Sequence, residues 1–247
     1  MGRKGPSKHL KRELSPRFWP IHRKEHVWSV RTSPGPHALR KSLPLLVIVR
    51  DILEYAGTGK EAKMLIKQGK VNVDGRPRMD ERYPVGVMDI VELPDAKQLF
   101  RVLPAQGGRL VLHPIKGKEA GFKLCRIVGK TTLKEGRAQL NLHDGRNVTP
   151  EDSGDGYKVN DTLQLKIPEQ EVMGQISLEQ GILATVTGGK SQGKLGVVTG
   201  LGPEPGWKRT ATIRTAGGEE VRTLARYVFA VGSGEPLISL PGGSRVG

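Results

Sequence analysis

The sequence is poor in the residue types on which many secreted and membrane proteins depend. It has one cysteine in 247 residues, which excludes an internal disulfide and any zinc site built on paired cysteines. Only 4% of its residues are aromatic, and its longest apolar run is L-P-L-L-V-I-V at 43–49. That run is far shorter than the roughly 20 residues that span a membrane. No apolar signal segment follows the basic N-terminus, so we expect a cytoplasmic protein.

Acidic residues are also scarce, with 25 Asp and Glu against 40 Lys and Arg, which gives a formal net charge of +15. Such an excess predicts a polyanionic partner, and nucleic acid is favoured over a membrane because no membrane-spanning run is present. The hydrophobic share is 36%, with 33 Gly and 17 Pro. These values predict several small cores joined by many turns rather than one large core.

Residues 1–42 form a basic arm, with 11 Lys and Arg against two Glu and five prolines. Because such a segment cannot bury enough apolar surface to fold alone, we expect it to be disordered in the free protein and ordered on RNA. Phe18, Trp19 and Trp28 favour an arm that binds a partner over a merely solvated tail, since large aromatic side chains are uncommon in free tails.

Residues 43–96 carry the pattern of a compact α/β unit. Apolar residues from Leu45 to Tyr55 recur at helical spacing and predict a first helix. V-N-V-D-G-R-P at 71–77 predicts a strand that ends in an Asp-Gly hairpin turn. V-M-D-I-V-E-L at 87–93 predicts the returning strand.

A second helix is predicted between these segments, because Thr58 and Glu61 have the spacing of a capping box. We expect three apolar residues of this helix to face a core: Ala62, Leu65 and Ile66. Its lysines fall on the opposite side as one basic stripe: Lys60, Lys63 and Lys67.

Short alternating segments with Gly-rich turns fill the rest of the chain. In 97–175 they predict a small β domain with strands near 109–113, 124–128, 138–142 and 163–167. In 176–247 they predict a small closed barrel of five strands, near 182–186, 195–197, 211–213, 221–223 and 227–231. Asp74 and Asp144 each precede a glycine and are predicted turn residues. The fold class predicted is therefore α+β with several domains.

The stretch A-T-V-T-G-G-K-S at 184–191 has the loose spelling of a phosphate-binding loop. Such a loop needs a helix directly after Ser191, whose N-terminus supplies the backbone N–H groups that hold the phosphates. The residues that follow, Q-G-K-L-G-V-V-T-G, are too rich in glycine and β-branched residues for a helix. We therefore interpret the stretch as a turn between two strands that presents Lys190 and Lys194 to a phosphodiester backbone.

A second misleading motif is H-R-K-E-H at 22–26, which has the spelling of an inverted zinc-protease motif. That chemistry needs both histidines on a helix and a third ligand, whereas this stretch lies in a proline-broken arm where two cations would repel the metal. We interpret it as a basic RNA contact, predict no metal and no cofactor, and expect Cys125 to be a small buried residue.

Several motifs together resemble the archaeal and eukaryotic ribosomal protein S-four-e family, in that family's order. They are F-W-P-I-H-R-K-E at 18–25, S-L-P-L-L-V-I-V-R-D-I-L-E-Y-A at 42–56, Y-P-V-G-V-M-D at 83–89, Q-L-N-L-H-D-G-R-N at 139–147 and Y-V-F-A-V-G at 227–232. The resemblance runs from about residue 8 to the end and is closer to the archaeal members.

The resemblance implies a basic arm (1–42), an αL-type RNA-binding domain (43–96), a central β domain (97–175) and a C-terminal SH3-like barrel with a KOW motif (176–247). Five residues match the glycine and apolar positions of the KOW motif: Val186, Gly189, Gly193, Gly196 and Val198. Gly188-Gly189 is a double glycine and departs from the motif.

On this interpretation the protein is a structural constituent of the small ribosomal subunit, is not an enzyme, and has ribosomal RNA and neighbouring ribosomal proteins as partners. The predicted RNA contacts of the arm are Arg3, Lys4, Lys8, Lys11, Arg12, Arg17, Arg23, Lys24, Arg40 and Lys41. Those of the αL-type domain are Arg50, Lys60, Lys63, Lys67, Lys70, Arg76 and Arg78. Those of the KOW turn are Lys190 and Lys194. Trp19 and Trp28 are expected to stack on bases or to pack against a neighbouring protein.

Two other classes share parts of this pattern. An RNA-modifying enzyme that used the αL-type unit for targeting would need a catalytic domain, and the short strands of 97–175 are too few for one. A transcription-elongation factor with a KOW barrel would need a polymerase-binding α/β domain before it, which the basic arm and the αL-type unit do not resemble.

We predict that Lys190→Ala weakens binding of small-subunit ribosomal RNA by the equivalent of about one phosphate contact. Gly193→Val should do more damage, because a valine would strain a turn of positive φ or block a close backbone approach. Filter binding with the RNA and equilibrium dialysis with ATP measure both effects. Micromolar ATP binding that Lys190→Ala abolishes would overturn the interpretation of 184–191 as a turn.

Overall fold

The computed structural model of the chain describes residues 9–22, 24–150, 155–203 and 209–241. It is an α+β fold of short antiparallel strands and few helical turns, which confirms the α+β part of the predicted fold class. In the part of the chain that is described, no helix is long and apolar enough to cross a membrane.

Nineteen short strands form the framework of the described residues. The first nine are β1 Leu10–Lys11, β2 Trp28–Ser29, β3 Ser42–Pro44, β4 Asn72–Val73, β5 Arg76–Pro77, β6 Pro84–Gly86, β7 Ile90–Leu93, β8 Gln98–Pro104 and β9 Leu110–Pro114. The other ten are β10 Phe122–Thr132, β11 Ala138–Leu142, β12 Asn147–Val148, β13 Thr162–Lys166, β14 Val172–Ile176, β15 Leu183–Val186, β16 Leu195–Leu201, β17 Thr210–Thr215, β18 Glu220–Leu224 and β19 Val228–Gly232.

The α-helical segments of the described residues are α1 Leu45–Val47, α2 Gly59–Lys67 and α3 Gly117–Ala120. The first is shorter than predicted, because α1 passes directly into a π-helical turn at Ile48–Ile52. All residues from Leu45 to Val49 are buried in a core that the arm, α2 and the first sheet share. This segment is therefore covered on all sides and does not have one apolar and one exposed face.

The capping box of α2 is confirmed. The Thr58 hydroxyl accepts a hydrogen bond from the Glu61 amide at 3.2 Å, and the Thr58 amide donates to the Glu61 carboxylate at 3.3 Å. These reciprocal bonds satisfy two backbone donors and set the residue at which the helix begins.

The strands form three five-stranded sheets and two pairs, β1-β2 and β3-β6. The orders are β5-β4-β7-β8-β9 in the first sheet, β12-β11-β10-β13-β14 in the second and β18-β17-β16-β15-β19 in the third. The first sheet crosses residues 96–97, where the sequence predicts a domain boundary, because β8 pairs directly with β7. In the third sheet the five predicted strands are present, but the described pairing leaves β18 and β19 as edges, so a closed barrel is not confirmed.

The described part of the arm is packed against the first sheet, contrary to the expectation of disorder. Leu10 and Trp19 are 7% and 2% exposed, and the indole N–H of Trp19 donates to the carbonyl of Ser42 at 2.8 Å. Arg12 is 5% exposed, and its guanidinium donates to the hydroxyl of Ser15. The arm has no core of its own but contributes to the core of the unit that follows it. Composition alone therefore predicts disorder for a segment whose apolar residues are buried against another part of the chain.

The stretch spelled like a phosphate-binding loop joins β15 to β16 through turns, with no helix between 187 and 194. Gly193 has φ +84°, a conformation that glycine adopts at little cost. A Cβ at this position would collide with the backbone of Ala105 and Gln106. The prediction of a positive φ or a close backbone approach at Gly193 is therefore confirmed on both counts. The backbone that approaches Gly193 belongs to this same chain.

Lys123 on β10 ends among three aspartates in the interior. Its Nζ lies 2.9 Å from Oδ2 of Asp74 and 2.5 Å from Oδ1 of Asp89. A third contact of 2.9 Å joins Nζ to Oδ2 of Asp144. Asp74 and Asp144 do occupy the predicted Asp-Gly turns, but each also serves this cluster of charges.

The cluster continues in both directions from Lys123. Arg146 is ion-paired with Asp74 and Asp144, and Nε2 of His37 in the arm lies 3.0 Å from Oδ1 of Asp89. Burial works against ionisation, but His37 and Lys123 hold the pKa of Asp89 well below its ordinary value. Likewise, the surrounding carboxylates outweigh burial and raise the pKa of Lys123 well above its usual value. We call Lys123, its three aspartates, Arg146 and His37 the buried charge network.

Cys125, His143 and Asp144 place three possible metal ligands within 4.8 Å of one another beside this network. Lys123 and Arg146 already occupy the Asp144 carboxylate. Burial raises the pKa of the Cys125 thiol well above its usual value, which keeps it protonated. The donor set therefore suits the ion pairs and not a metal cation. Cys125 is fully buried, as predicted.

We predict that Lys123→Met lowers the free energy of unfolding by about 3–5 kcal/mol, because it leaves three buried carboxylates without their shared cation. Lys166→Met is the matched control, since among the described residues the side chain of Lys166 makes one ion pair, an exposed one with Glu171 at 3.5 Å. That change should alter stability by less than about 1 kcal/mol. Urea unfolding followed by circular dichroism measures both, and equal losses in the two variants would contradict the prediction.

The same network predicts a pH dependence. The pKa values of Asp89 and Asp144 are lowered by folding, so their stabilisation is complete above the unfolded pKa of about 3.9. It is lost as the pH falls further towards the folded values, which means that wild-type stability should decline below about pH 4. The decline should be smaller in Lys123→Met, and an undiminished decline in that variant would count against the network.

Candidate RNA-binding surface

The basic stripe of α2 lies on the surface, on the side away from the core. Three apolar residues of the helix pack against that core, with the middle one only partly buried: Ala62, Leu65 and Ile66. The three lysines of the stripe are all exposed: Lys60, Lys63 and Lys67. The predicted two-sided helix is therefore confirmed, whereas its contact with RNA stays a prediction.

Ion pairs divide the lysines of this region into two groups. Nζ of Lys63 lies 2.8 Å from Oε1 of Glu81. Burial opposes ionisation of Glu81, but its hydrogen bond with Lys63 and the charges of Lys63 and Lys67 keep its pKa lowered. Lys70 is paired with Asp95 at 3.0 Å. Lys60 and Lys67 make no ion pair with the described residues, so their charges are the most available to a phosphate.

The predicted arginines of this unit are already engaged within the chain. The Arg50 guanidinium makes a bidentate contact with Asp51, both bonds being 3.0 Å. Arg76 donates to the carbonyl of Pro168 at 3.2 Å. Arg78 lies 4.5 Å from the ring centroid of Tyr83. An RNA contact at any of these arginines would be added to an existing interaction or would replace it.

Arg76 and Arg78 also line a cavity of about 300 Å³ together with Arg146. Nε of Arg78 is buried and has no hydrogen-bond partner among the described residues. The structure thus brings two predicted RNA contacts next to a third arginine that the sequence patterns did not single out.

The predicted arm residues fall into three groups. Those that are exposed are Lys11, Arg17, Lys24, Trp28, Arg40 and Lys41. Those that lie outside the described residues are Arg3, Lys4, Lys8 and Arg23. Arg12 and Trp19 are corrections, because both are buried and serve the interior rather than facing a phosphate or a base. Trp28 is 60% exposed, and the ring of His9 lies against it at a centroid distance of 5.7 Å.

In the turn between β15 and β16, Lys190 is exposed. Lys194 instead has its Nζ 2.6 and 2.7 Å from the two carboxylate oxygens of Glu219. To bind a phosphate, Lys194 would have to give up this carboxylate, so Lys190 is the stronger candidate of the two.

A second cavity, of about 210 Å³, joins Arg40 and Lys41 of the arm to residues that the sequence predictions missed. The missed residues are Arg126, Arg226, Tyr227 and Phe229. The signal that could have found three of them is the short mixture of a cation and two aromatics in R-Y-V-F at 226–229. Arg126 carries no local signal, because only the fold brings it to the cavity.

Comparison with known proteins identifies the family. The chain matches three family models: the RS4NT (NUC023) domain at residues 4–40, the S4 domain at 43–91 and Ribosomal family S4e at 96–172. The small ribosomal subunit protein eS4 of Methanothermobacter thermautotrophicus is 52% identical over 96% of this chain and 97% of its own. The chain belongs to the eS4 family.

Other eS4 proteins agree with this assignment. That of Staphylothermus marinus is 46% identical over 99% of this chain and all of its own. The crystal structure of the 30S ribosomal protein S4e from Thermoplasma acidophilum superposes with a TM-score of 0.67 at 28% identity, covering 78% of this chain and 96% of that one. The eS4 proteins are structural ribosomal proteins and not enzymes, which confirms that prediction.

We predict that replacing Lys60, Lys63 and Lys67 together by alanine weakens binding to small-subunit ribosomal RNA by about 1 kcal/mol or less per residue, because each lysine neutralises at most one phosphate. The slope of log K against log salt should become shallower by about 1 for each phosphate that the variant no longer neutralises. Filter binding across a salt series measures both quantities.

The matched control is Glu81→Gln, which releases Lys63 from its ion pair without removing a cation. This variant should bind the RNA at least as tightly as the wild type. A triple variant with an unchanged salt slope and an unchanged melting temperature would show that the stripe of α2 does not face RNA.

Proposed function

We propose that this eS4 chain is a structural constituent of the small ribosomal subunit, where it binds and stabilises ribosomal RNA and so supports translation. The observation that carries the proposal is the 52% identity to a named small-subunit protein over nearly the whole of both chains. The S4 domain match at 43–91 and the formal net charge of +15 support it independently.

The mode of binding follows from where the charges lie. The exposed cations of the arm, α2 and the turn at Lys190 are well suited to phosphates, which supply affinity without sequence specificity. The strongest candidates for RNA contacts are the exposed lysines that make no ion pair with any described residue: Lys60, Lys67 and Lys190. For Lys63, Lys70 and Lys194 an existing ion pair with a carboxylate competes with the RNA.

The finer organisation of the chain is part of the proposal. We infer four parts, at 1–42, 43–96, 97–175 and 176–247, of which the last is an SH3-like barrel with a KOW motif. The strand order of the third sheet and the 3₁₀ turn at Ala225–Tyr227 directly before β19 support the barrel. Neighbouring ribosomal proteins are the other partners, on ribosomes in the cytoplasm, and no small-molecule substrate or cofactor is proposed.

We predict that the tagged chain migrates with small subunits in sucrose gradients at moderate salt, at about one copy per subunit. Quantitative mass spectrometry of the subunit fractions measures the stoichiometry. An RNA-modifying enzyme would be present in far fewer copies and would leave the subunits after acting. An elongation factor would instead migrate with RNA polymerase, so either pattern would contradict the proposal.

A further inference from the structure

The cavity of about 210 Å³ lies where four parts of the chain meet. The 3₁₀ turn that carries Arg40 and Lys41 contributes one side, and Leu110 of the first sheet contributes another. The second sheet contributes two residues of β10: the largely buried Arg126 and, at the rim, the exposed Val128. The third sheet contributes the turn after β15 and the aromatic residues near the start of β19. A site formed in this way exists only in the assembled fold.

The charge of the cavity has one sign. Four of the residues that line it are permanent cations: Arg40, Lys41, Arg126 and Arg226. No Asp or Glu is among the described residues of its lining. Such a lining attracts an anionic occupant, whereas in the buried charge network nearby the cations are already neutralised by aspartates.

The walls also offer aromatic surface. Tyr227 and Phe229 line the cavity, and the ring of His143 meets Phe229 edge-on at 5.3 Å. Phe229 is only 1% exposed and Tyr227 is half-buried, so Tyr227 supplies most of the accessible aromatic surface. A Cβ at Gly188 would lie 2.7 Å from the Tyr227 ring, so the glycine allows the turn to pack directly on that ring. Burial, which outweighs the effect of Asp144, lowers the pKa of His143 to about 3, so this ring is neutral near pH 7 and adds no charge.

Arg126 provides an unsatisfied donor. Its Nη1 donates to the carbonyls of Arg226 and Val228, which fixes the plane of the guanidinium. Its Nε is buried and has no hydrogen-bond partner among the described residues. Burial lowers the pKa of Arg126 to about 10, so the group remains charged near pH 7. A buried donor without a partner is costly unless an acceptor comes to it.

We propose that this cavity holds one unstacked base of small-subunit ribosomal RNA, with the adjoining phosphates at Arg40, Lys41 and Arg226. The proposal rests on the proposed function, which supplies the RNA, and goes beyond it by naming where a single nucleotide is bound. An acceptor on the edge of the base, a carbonyl oxygen or a ring nitrogen, receives the hydrogen bond from Nε of Arg126.

Size and chemistry both favour a base. A volume of about 210 Å³ is below the roughly 300–1,000 Å³ typical of sites for drug-sized ligands, so the occupant is a small group. Unpaired RNA bases are commonly bound by stacking on aromatic side chains and on arginine planes, with hydrogen bonds to their edges. An acidic peptide would match the charge of the cavity but would make no use of its aromatic surface.

The test compares two tryptophan substitutions in the full-length chain. Val128 is 47% exposed and lines the cavity, so Val128→Trp fills the space from its rim. Val111 is 40% exposed and does not line the cavity, so Val111→Trp is the matched control. Arg126→Lys is a third variant, which keeps the charge but removes the Nε donor. Each protein is titrated with transcribed small-subunit ribosomal RNA, and the bases are probed chemically in the complex.

We expect Val128→Trp to weaken binding by about 5- to 150-fold, the range expected for the loss of one stacked base. One unpaired base that the wild type protects should become reactive, while Val111→Trp and the wild type give the same pattern. Arg126→Lys should expose the same base to its edge-specific reagent. Equal melting temperatures of the two tryptophan variants show that folding is not the cause.

Three results would overturn the proposal. If the wild type binds the RNA and all variants protect the same bases, the cavity proposal alone is wrong. If Val128→Trp binds naked RNA normally but is excluded from assembled subunits, the cavity receives a neighbouring protein instead. If the wild type does not bind the RNA at all, the proposed function is wrong as well, and the two failures are thereby distinguished.

Discussion

The fold depends on one buried lysine that neutralises three buried carboxylates. Lys123 is bonded to aspartates 49, 34 and 21 positions away in the sequence. The contact with Asp144 lies within the second sheet, whereas those with Asp74 and Asp89 form only after the first two sheets have come together. In a low-dielectric interior each partner is costly without the others. The network therefore makes the assembly of the two sheets close to all-or-none. Through His37 and Asp89 it includes the arm, which on its own composition would not fold.

The protein separates its charges into two populations with different roles. In the buried charge network carboxylates and cations are paired with each other, as at Arg146, and hold the units together. Arg126, which lies outside the network, donates instead to carbonyl oxygens. Many cations on the outside either make no ion pair with the described part of the chain, as at Lys60 and Lys190, or are paired with a carboxylate that a phosphate can displace, as at Lys63. The large positive charge is thus compatible with a compact chain, because the repulsion falls mainly on surfaces that RNA would neutralise.

Local patterns in the sequence predicted the local structure well. The capping box at Thr58, the Asp-Gly turns and the strands with regular alternation are confirmed, because each is decided by neighbours within a few residues. The second half of strand β8 has no alternating pattern, since Arg101 and the three residues after it are all buried and alternation disappears when both faces are covered. The burial of Trp19 and the position of Arg126 depend on partners far away in the chain, which no local pattern encodes. For the same reason the α2 stripe could be predicted, whereas the cavity beside Arg126 could not.

Gly193 in the turn after β15 lies directly against the backbone of Ala105 and Gln106 in the turn after β8. A change at either segment alters the space available to the other. Among related sequences, a change in the length of the turn after β8 should therefore be accompanied by a change in the turn after β15. The stretch at 184–191 has the spelling of a nucleotide-binding loop, but in this protein it leads into a turn that packs one sheet against another. Natural variation in this turn should be limited by the backbone of the turn after β8.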